Sequence, residues 1–164
     1  MRQNRILAVS MLAASILSMS TLTACKSSGM AVTSRGQLLK IDIKGVDDLP
    51  DGGTQELTIA IANRGVNNIL NVFVDVEIPA ELAVLSEVHE RGMEVASDRG
   101  ANGDRVYHYT IGNLQPTETS VARFAVRTAF GTLDRTGDIK VTAWQSDLPG
   151  DKKLVETKQI KLRR

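Results

Sequence analysis

Few side chains in this 164-residue chain could do chemistry, and the first of them is a thiol. Cys25 is the only cysteine. A thiolate attacks carbon, metal or another sulfur, but a lone cysteine leaves the chain without an internal disulfide. His89 and His108 are the only histidines. A histidine can serve as base or metal ligand when a suitable partner is near. Neither has Cys, Asp or Glu at a recognised metal spacing, although Glu87 and Glu90 flank His89. His108 lies between Tyr107 and Tyr109 in an alternating run, which places it on a solvent face. The acidic run Asp47-Asp48-Leu49-Pro50-Asp51-Gly52-Gly53 could offer carboxylates to calcium. It lacks the alternating oxygen ligands and terminal Glu of an EF-hand loop, so it reads as a capped turn. There is no Gly-x-Ser-x-Gly elbow, phosphate loop or nucleophile–His pairing. The expectation is no catalytic residue, no metal ligand and no enzyme.

What surrounds Cys25 gives the thiol its context. Arg2 and Arg5 form a positive start with no acidic residue beside them. Ile6 to Leu22 is an apolar run diluted by Ser10, Ser15, Ser18, Ser20 and Thr21, and it ends in small residues. These are the parts of a cleaved export signal. A spanning helix needs about 20 strongly apolar residues, and this run is shorter and broken by serine; an uncleaved anchor is the alternative.

Leu22-Thr23-Ala24-Cys25 resembles the lipobox of bacterial lipoproteins. The resemblance implies that diacylglycerol is attached to the Cys25 sulfur, that the bond before Cys25 is cut, and that the new amine is usually acylated. No other cofactor is expected. Each buried lipid methylene contributes about 0.8 kcal/mol, and two or more chains anchor a protein stably. Lys26 follows the cysteine. In a two-membrane bacterium the resemblance implies the outer membrane, on its periplasmic or surface face, rather than the inner one.

Composition limits the partners. The chain carries 20 Lys and Arg against 19 Asp and Glu, a net charge of +1. Loss of Arg2 and Arg5 with residues 1–24 makes it −1, which argues against nucleic acid. Lys158, Lys161, Arg163 and Arg164 could touch anionic lipid or wall polymer, but read more simply as a solvated strand end. Residues 25–36 form the lipidated cysteine and a small, polar tether. Its eleven residues from Lys26 reach about 36–40 Å when extended and about 18 Å as a coil. Residues 37–164 are enough for one domain with a proper core.

From Leu38 onward the hydrophobic period is two. Leu39, Ile41 and Ile43 alternate with Lys40, Asp42 and Lys44. Leu57, Ile59 and Ile61 form a second strand, closed by a turn at Asn63-Arg64-Gly65, where Asn and Gly tolerate positive φ. Leu70, Val72, Val74, Val76 and Ile78 line one face of a third, which Pro79 ends. Leu82 to Val88 reads as a short edge strand, with a helical turn as the alternative. Arg99 to Asp104 is the most flexible loop by composition. Tyr107, Tyr109 and Ile111, then Ala122, Phe124 and Val126, then Ile139, Val141 and Ala143 mark further strands, and a last one runs near Val155 to Leu162. Seven or eight short antiparallel strands with turns between them predict an all-β sandwich of immunoglobulin-like type. A closed barrel is the other possibility.

Leu57 to Gly65, then Val72-Phe73-Val74-Asp75-Val76-Glu77-Ile78-Pro79, then Ile111-Gly112-Asn113-Leu114-Gln115-Pro116 resemble an immunoglobulin-like repeat of unknown function from bacterial and archaeal envelope proteins. The likeness runs from about Gln55 to Trp144. It departs at Thr117, where the repeat usually has Gly, and in Asp138 to Ala143, which lacks a customary Asn. These motifs make turns, so the resemblance implies a fold and a surface location, not an activity.

Phe73 and Trp144 fall on outward positions. Exposed Trp is enriched in binding hot spots, so the two mark a possible interaction surface; the alternative is that a loop or the tether covers them. Arg123 and Arg127 are expected to pair with Asp75 and Glu77 across strands. The function expected from these features is a lipid-anchored, non-catalytic envelope protein. It would bind envelope proteins, wall polymer or glycan through its immunoglobulin-like domain. The alternatives are an assembly factor working through an open β-edge, or an accessory glycan- or metal-binding domain.

Overall fold

A computed structural model describes residues 30–32, 38–91, 93–100, 102–129, 134–146 and 153–163. Cys25, with Leu22, Thr23 and Ala24 read as a lipobox, and residues 1–24, read as an export signal, lie outside the described residues. Where the hydrophobic period is two, the chain is extended, and it folds back at each cluster of turn residues. In chain order the strands are β1 (Met30–Val32), β2 (Leu38–Lys44), β3 (Asp48–Pro50), β4 (Thr54–Asn63), β5 (Ile69–Ile78) and β6 (Leu82–His89). They continue with β7 (Met93–Arg99), β8 (Arg105–Leu114), β9 (Thr119–Thr128), β10 (Arg135–Gln145) and β11 (Leu154–Arg163).

Two sheets face each other. One has the order β1-β2-β4-β9-β6, the other β3-β11-β10-β5-β8-β7. The ladders are antiparallel except for the parallel β3–β11 pair. Between the sheets lie Ile41, Leu57, Ile59 and Phe124 from the first, and Val74, Val76, Tyr107, Tyr109, Ile139, Val141 and Ile160 from the second, all buried. Burying one such aliphatic or aromatic side chain contributes roughly 1.5–3 kcal/mol.

Eleven strands replace the seven or eight expected, because three pieces escape a reading by alternation. Met30–Val32, within the stretch read as tether, pairs with Leu38–Lys40 of β2. Asp48–Pro50, read as a turn, forms β3 and pairs with Lys161–Arg163; its Leu49 is completely buried. Met93–Arg99 forms β7 along β8. The expected edge strand at Leu82 is β6.

One hydrophobic assignment shifts. Ile69, not Leu70, is in the core, and Leu70 is 42% exposed. Asn71 has φ +50 and Gly112, near it on β8, has φ +81; the β5–β8 register slips at this point. The bulge turns the chain by one residue and exchanges the faces ahead of Val72. The turn after β4 also works differently from expectation. Neither Asn63 nor Gly65 has positive φ. Asn63 is instead buried, and its amide Nδ2 donates to the carbonyls of Asn67 (2.8 Å) and Leu114 (3.0 Å) while its Oδ1 accepts from Gly65 N–H. Its backbone donates to Glu118 O and accepts from Thr117 N–H. One side chain thus ties the end of β4 to the corner between β8 and β9. At that corner Thr117 has φ +67, a left-handed conformation that suits Gly and strains a β-branched residue.

The two flanks of the sandwich differ. On one, β3 bridges the sheets: Gln55 Nε2 of β4 donates to Asp48 O at 2.9 Å and Thr128 Oγ1 of β9 donates to Pro50 O at 2.6 Å. On the other, β6 and β7 each have a neighbour on one side only.

Candidate functional site

The outer face of the six-stranded sheet carries the two residues that the sequence marked. Trp144 on β10 stands directly across from Phe73 on β5. Their rings stack with centroids 5.8 Å apart and planes 21° from parallel. The Lys153 ammonium lies 4.1 Å from the centre of the indole, a cation–π contact. Both aromatic residues are half-buried, so each shields part of the other. Lys153 is a member of this cluster that alternation could not find, since it lies before the start of β11.

The neighbouring rungs of that face are polar. Thr142, Asp75 and His108 lie in register across β10, β5 and β8. His108 Nδ1 is 2.6 Å from Asp75 Oδ1, and its Nε2 is 3.6 Å from Asp98 Oδ2. The Asp75–His108 contact has the form of an oriented base, but the far nitrogen faces a carboxylate instead of a nucleophile. The arrangement staples β5, β8 and β7 together. One rung on, Lys140 Nζ pairs with Glu77 at 3.0 Å.

Arg123 does not reach Asp75. It lies on β9, in the other sheet, and its Nη2 pairs with Glu90 at 2.7 Å; Arg127 shares that sheet. The expected cross-strand partners are separated by the core, because alternation tells the face of a strand but not the sheet it joins.

His89 points inward. Its ring is 4.5 Å from that of Tyr109 and 6.1 Å from that of Phe124. It borders a space of about 20 Å³ with Ile59, Val74 and Ala122. That is room for one water and no larger ligand. Nearby, Tyr109 donates its hydroxyl to Glu87 Oε2 at 3.3 Å, so the outermost strand sends a carboxylate inward.

The acidic run around β3 is an ionic clasp. Lys158 pairs with Asp47 at 2.9 Å and Arg163 pairs with Asp48. Lys158 also donates to the Gly45 carbonyl, and Lys161 N–H donates to Asp47 O at 3.0 Å. Cations of the last strand therefore occupy the carboxylates that a calcium ion would need, and the strand end is less free than its charge pattern implied. Among the described residues no group of three or more His, Cys, Asp and Glu is placed to hold a metal ion.

No family model and no curated relative matches the chain. Solved structures do share its architecture. A cohesin module from a family 33 glycoside hydrolase of Clostridium perfringens aligns with a TM-score of 0.53 and 14% identity, covering 84% of this chain and 98% of that one. AvmM, which catalyses macrocyclisation in alchivemycin A biosynthesis, aligns at 0.52 and 13% identity, over 84% of this chain and 90% of its own. The CARDB domain of a Pyrococcus furiosus protein aligns at 0.49 and 18% identity, over 78% and 90%. The chain is an all-β, immunoglobulin-like sandwich. Since the same architecture carries both a cohesin module and a catalyst, the fold leaves the activity to the site.

Proposed function

We propose that the protein is a lipid-anchored, non-catalytic component of the cell envelope. Its immunoglobulin-like domain binds another envelope macromolecule through the outer face of the six-stranded sheet. The observation that carries this reading is the Phe73–Trp144 stack, a half-exposed aromatic platform in cross-strand register. Large aromatic side chains contribute most where a partner desolvates them. The lipobox supplies the location: a lipid on Cys25 would hold the domain at the outer membrane. The cohesin module shows that a sandwich of this shape occurs as a module of a larger system.

The test is crosslinking in intact cells, followed by membrane extraction and identification of what is captured. Wild type is compared with Cys25→Ser and Trp144→Ala. A single stoichiometric partner, lost from both variants while each still folds, is the expected result. Capture that is unchanged in Trp144→Ala would remove the aromatic face from the reading. A Cys25→Ser protein that stays in the membrane with its signal uncut would remove the lipid anchor.

A second reading rests on β6. Leu85 and Val88 are 49% and 58% exposed on this open edge, where an assembly factor would accept a strand from a client. An exported client that becomes protease-sensitive when this protein is deleted would favour it.

A further inference from the structure

Several cations on this domain are matched by carboxylates. Lys140 faces Glu77, Arg123 reaches Glu90, and Arg135 meets Glu81 at 2.9 Å. One rung breaks the pattern. Arg99 and Arg105 stand directly opposite each other as the last pair of the β7–β8 ladder. Like charges in that position destabilise a sheet. Gly100 N–H is bonded to Asp104 O at 2.7 Å and Gly103 N–H to Gly100 O at 3.1 Å, so the two strand ends are held together.

Both arginines are exposed and line a groove of about 520 Å³ together with Glu81, Pro79 and Val84. The nearby carboxylates are engaged elsewhere. Glu81 holds Arg135, Asp104 Oδ1 accepts from Ala80 N–H at 3.1 Å, and Asp98 faces His108. Among the described residues neither Arg99 nor Arg105 forms an ion pair. A hydrogen bond to Tyr107 pushes the Arg105 pKa further up. Neither arginine therefore has an ion-pair partner of its own, and Glu81, the carboxylate on the groove's lining, is held by Arg135.

We propose that this groove binds a phosphate monoester, held by the guanidinium groups of Arg99 and Arg105. A carboxylate would neutralise only one of the two cations. A phosphate monoester brings close to two negative charges and three acceptor oxygens, and guanidinium forks bind phosphate oxygens two at a time.

The test uses the full chain in detergent and inorganic phosphate as the probe, with sodium chloride of equal ionic strength as reference. At about ten times Kd, phosphate should raise the melting temperature by about 4 °C. Arg99→Gln and Arg105→Gln should each lose that rise. Without phosphate each should melt at or above wild type, since the repulsion is relieved. Lys140→Gln, which removes a cation that pairs with Glu77 and does not line the groove, should keep the rise. An equal rise with chloride, a rise that survives in the Arg99→Gln/Arg105→Gln double variant, or its loss in Lys140→Gln would overturn the proposal. Dihexanoyl phosphatidic acid and glycerol 3-phosphate then separate the sources. Tighter binding of the first supports the site and assigns a lipid headgroup; tighter binding of the second supports it and assigns a soluble phosphate.

Discussion

The two flanks of the sandwich meet the same problem, an exposed strand edge, in different ways. On the closed flank β3 adds a short parallel strand to β11, drops Leu49 into the core and bonds to β4 and β9 of the opposite sheet. Its Asp48 is matched by Arg163, and Asp47 just before it by Lys158 and the Lys161 N–H. On the open flank β6 and β7 are left unsealed. There the edge is blunted by other means: a bulge between Val84 and Ser86 and the inward-pointing Glu87, both devices that discourage edge-to-edge pairing. The difference teaches that one side is built to stay shut, while the other keeps backbone, side chains and a charged groove accessible.

The closed flank should be the more easily broken. Gly45 has φ +77, and a Cβ there would come within 2.0 Å of the Glu56 carbonyl oxygen. Gly45→Ala combines left-handed strain with a backbone clash and should destabilise by about 3 kcal/mol or more, read as a large fall in urea midpoint. A midpoint near wild type would mean that this loop is not a tight closure.

The corner that joins the two regions should respond in the other direction. Thr117 has φ +67 and is exposed, so Thr117→Gly relieves strain without losing packing. We expect a gain of about 0.5–1 kcal/mol. A loss of stability would show that the Thr117 side chain is needed there.

The smallest effect belongs to the open flank. Val88→Lys, at a side chain 58% exposed, should change stability by less than about 0.5 kcal/mol and lower self-association of the concentrated protein. A loss comparable to that of Gly45→Ala would erase the distinction between the flanks.

How legible this was in the sequence depended on the kind of signal. Strict alternation in β4, in most of β5 and in β10 marked which side chains face the core, and Phe124, Tyr107 and Tyr109 fell on the inner faces as read. Alternation failed where a single residue resets the phase, as Asn71 does between Ile69 and Val72. It failed where a strand is too short to show a period, as in β3, and where an edge strand has few apolar residues to repeat, as in Met93–Arg99. The aromatic pair was visible as two outward positions, but its stacking needed β10 and β5 to be neighbours. Arg123 shows the same limit in reverse: its outward position was readable, its sheet was not. Arg99 and Arg105 were visible only as the two ends of a glycine-bearing loop. Nothing local says that the ladder sets the two arginines opposite each other.

The clasp between β3 and β11 also has a kinetic side. Lys158 reaches a carbonyl 113 residues earlier in the chain, and β11 is made after the other ten described strands. Contacts this distant carry a loop-closure entropy that must be overcome before they stabilise anything, which places all-β chains of this kind among the slow folders, on a scale of milliseconds to seconds. Until β11 docks, the Leu49 segment has no strand to pair with and the far edge of β10 is bare. A chain lacking β11 would therefore leave the Leu49 segment and one edge of β10 open to proteases and aggregation.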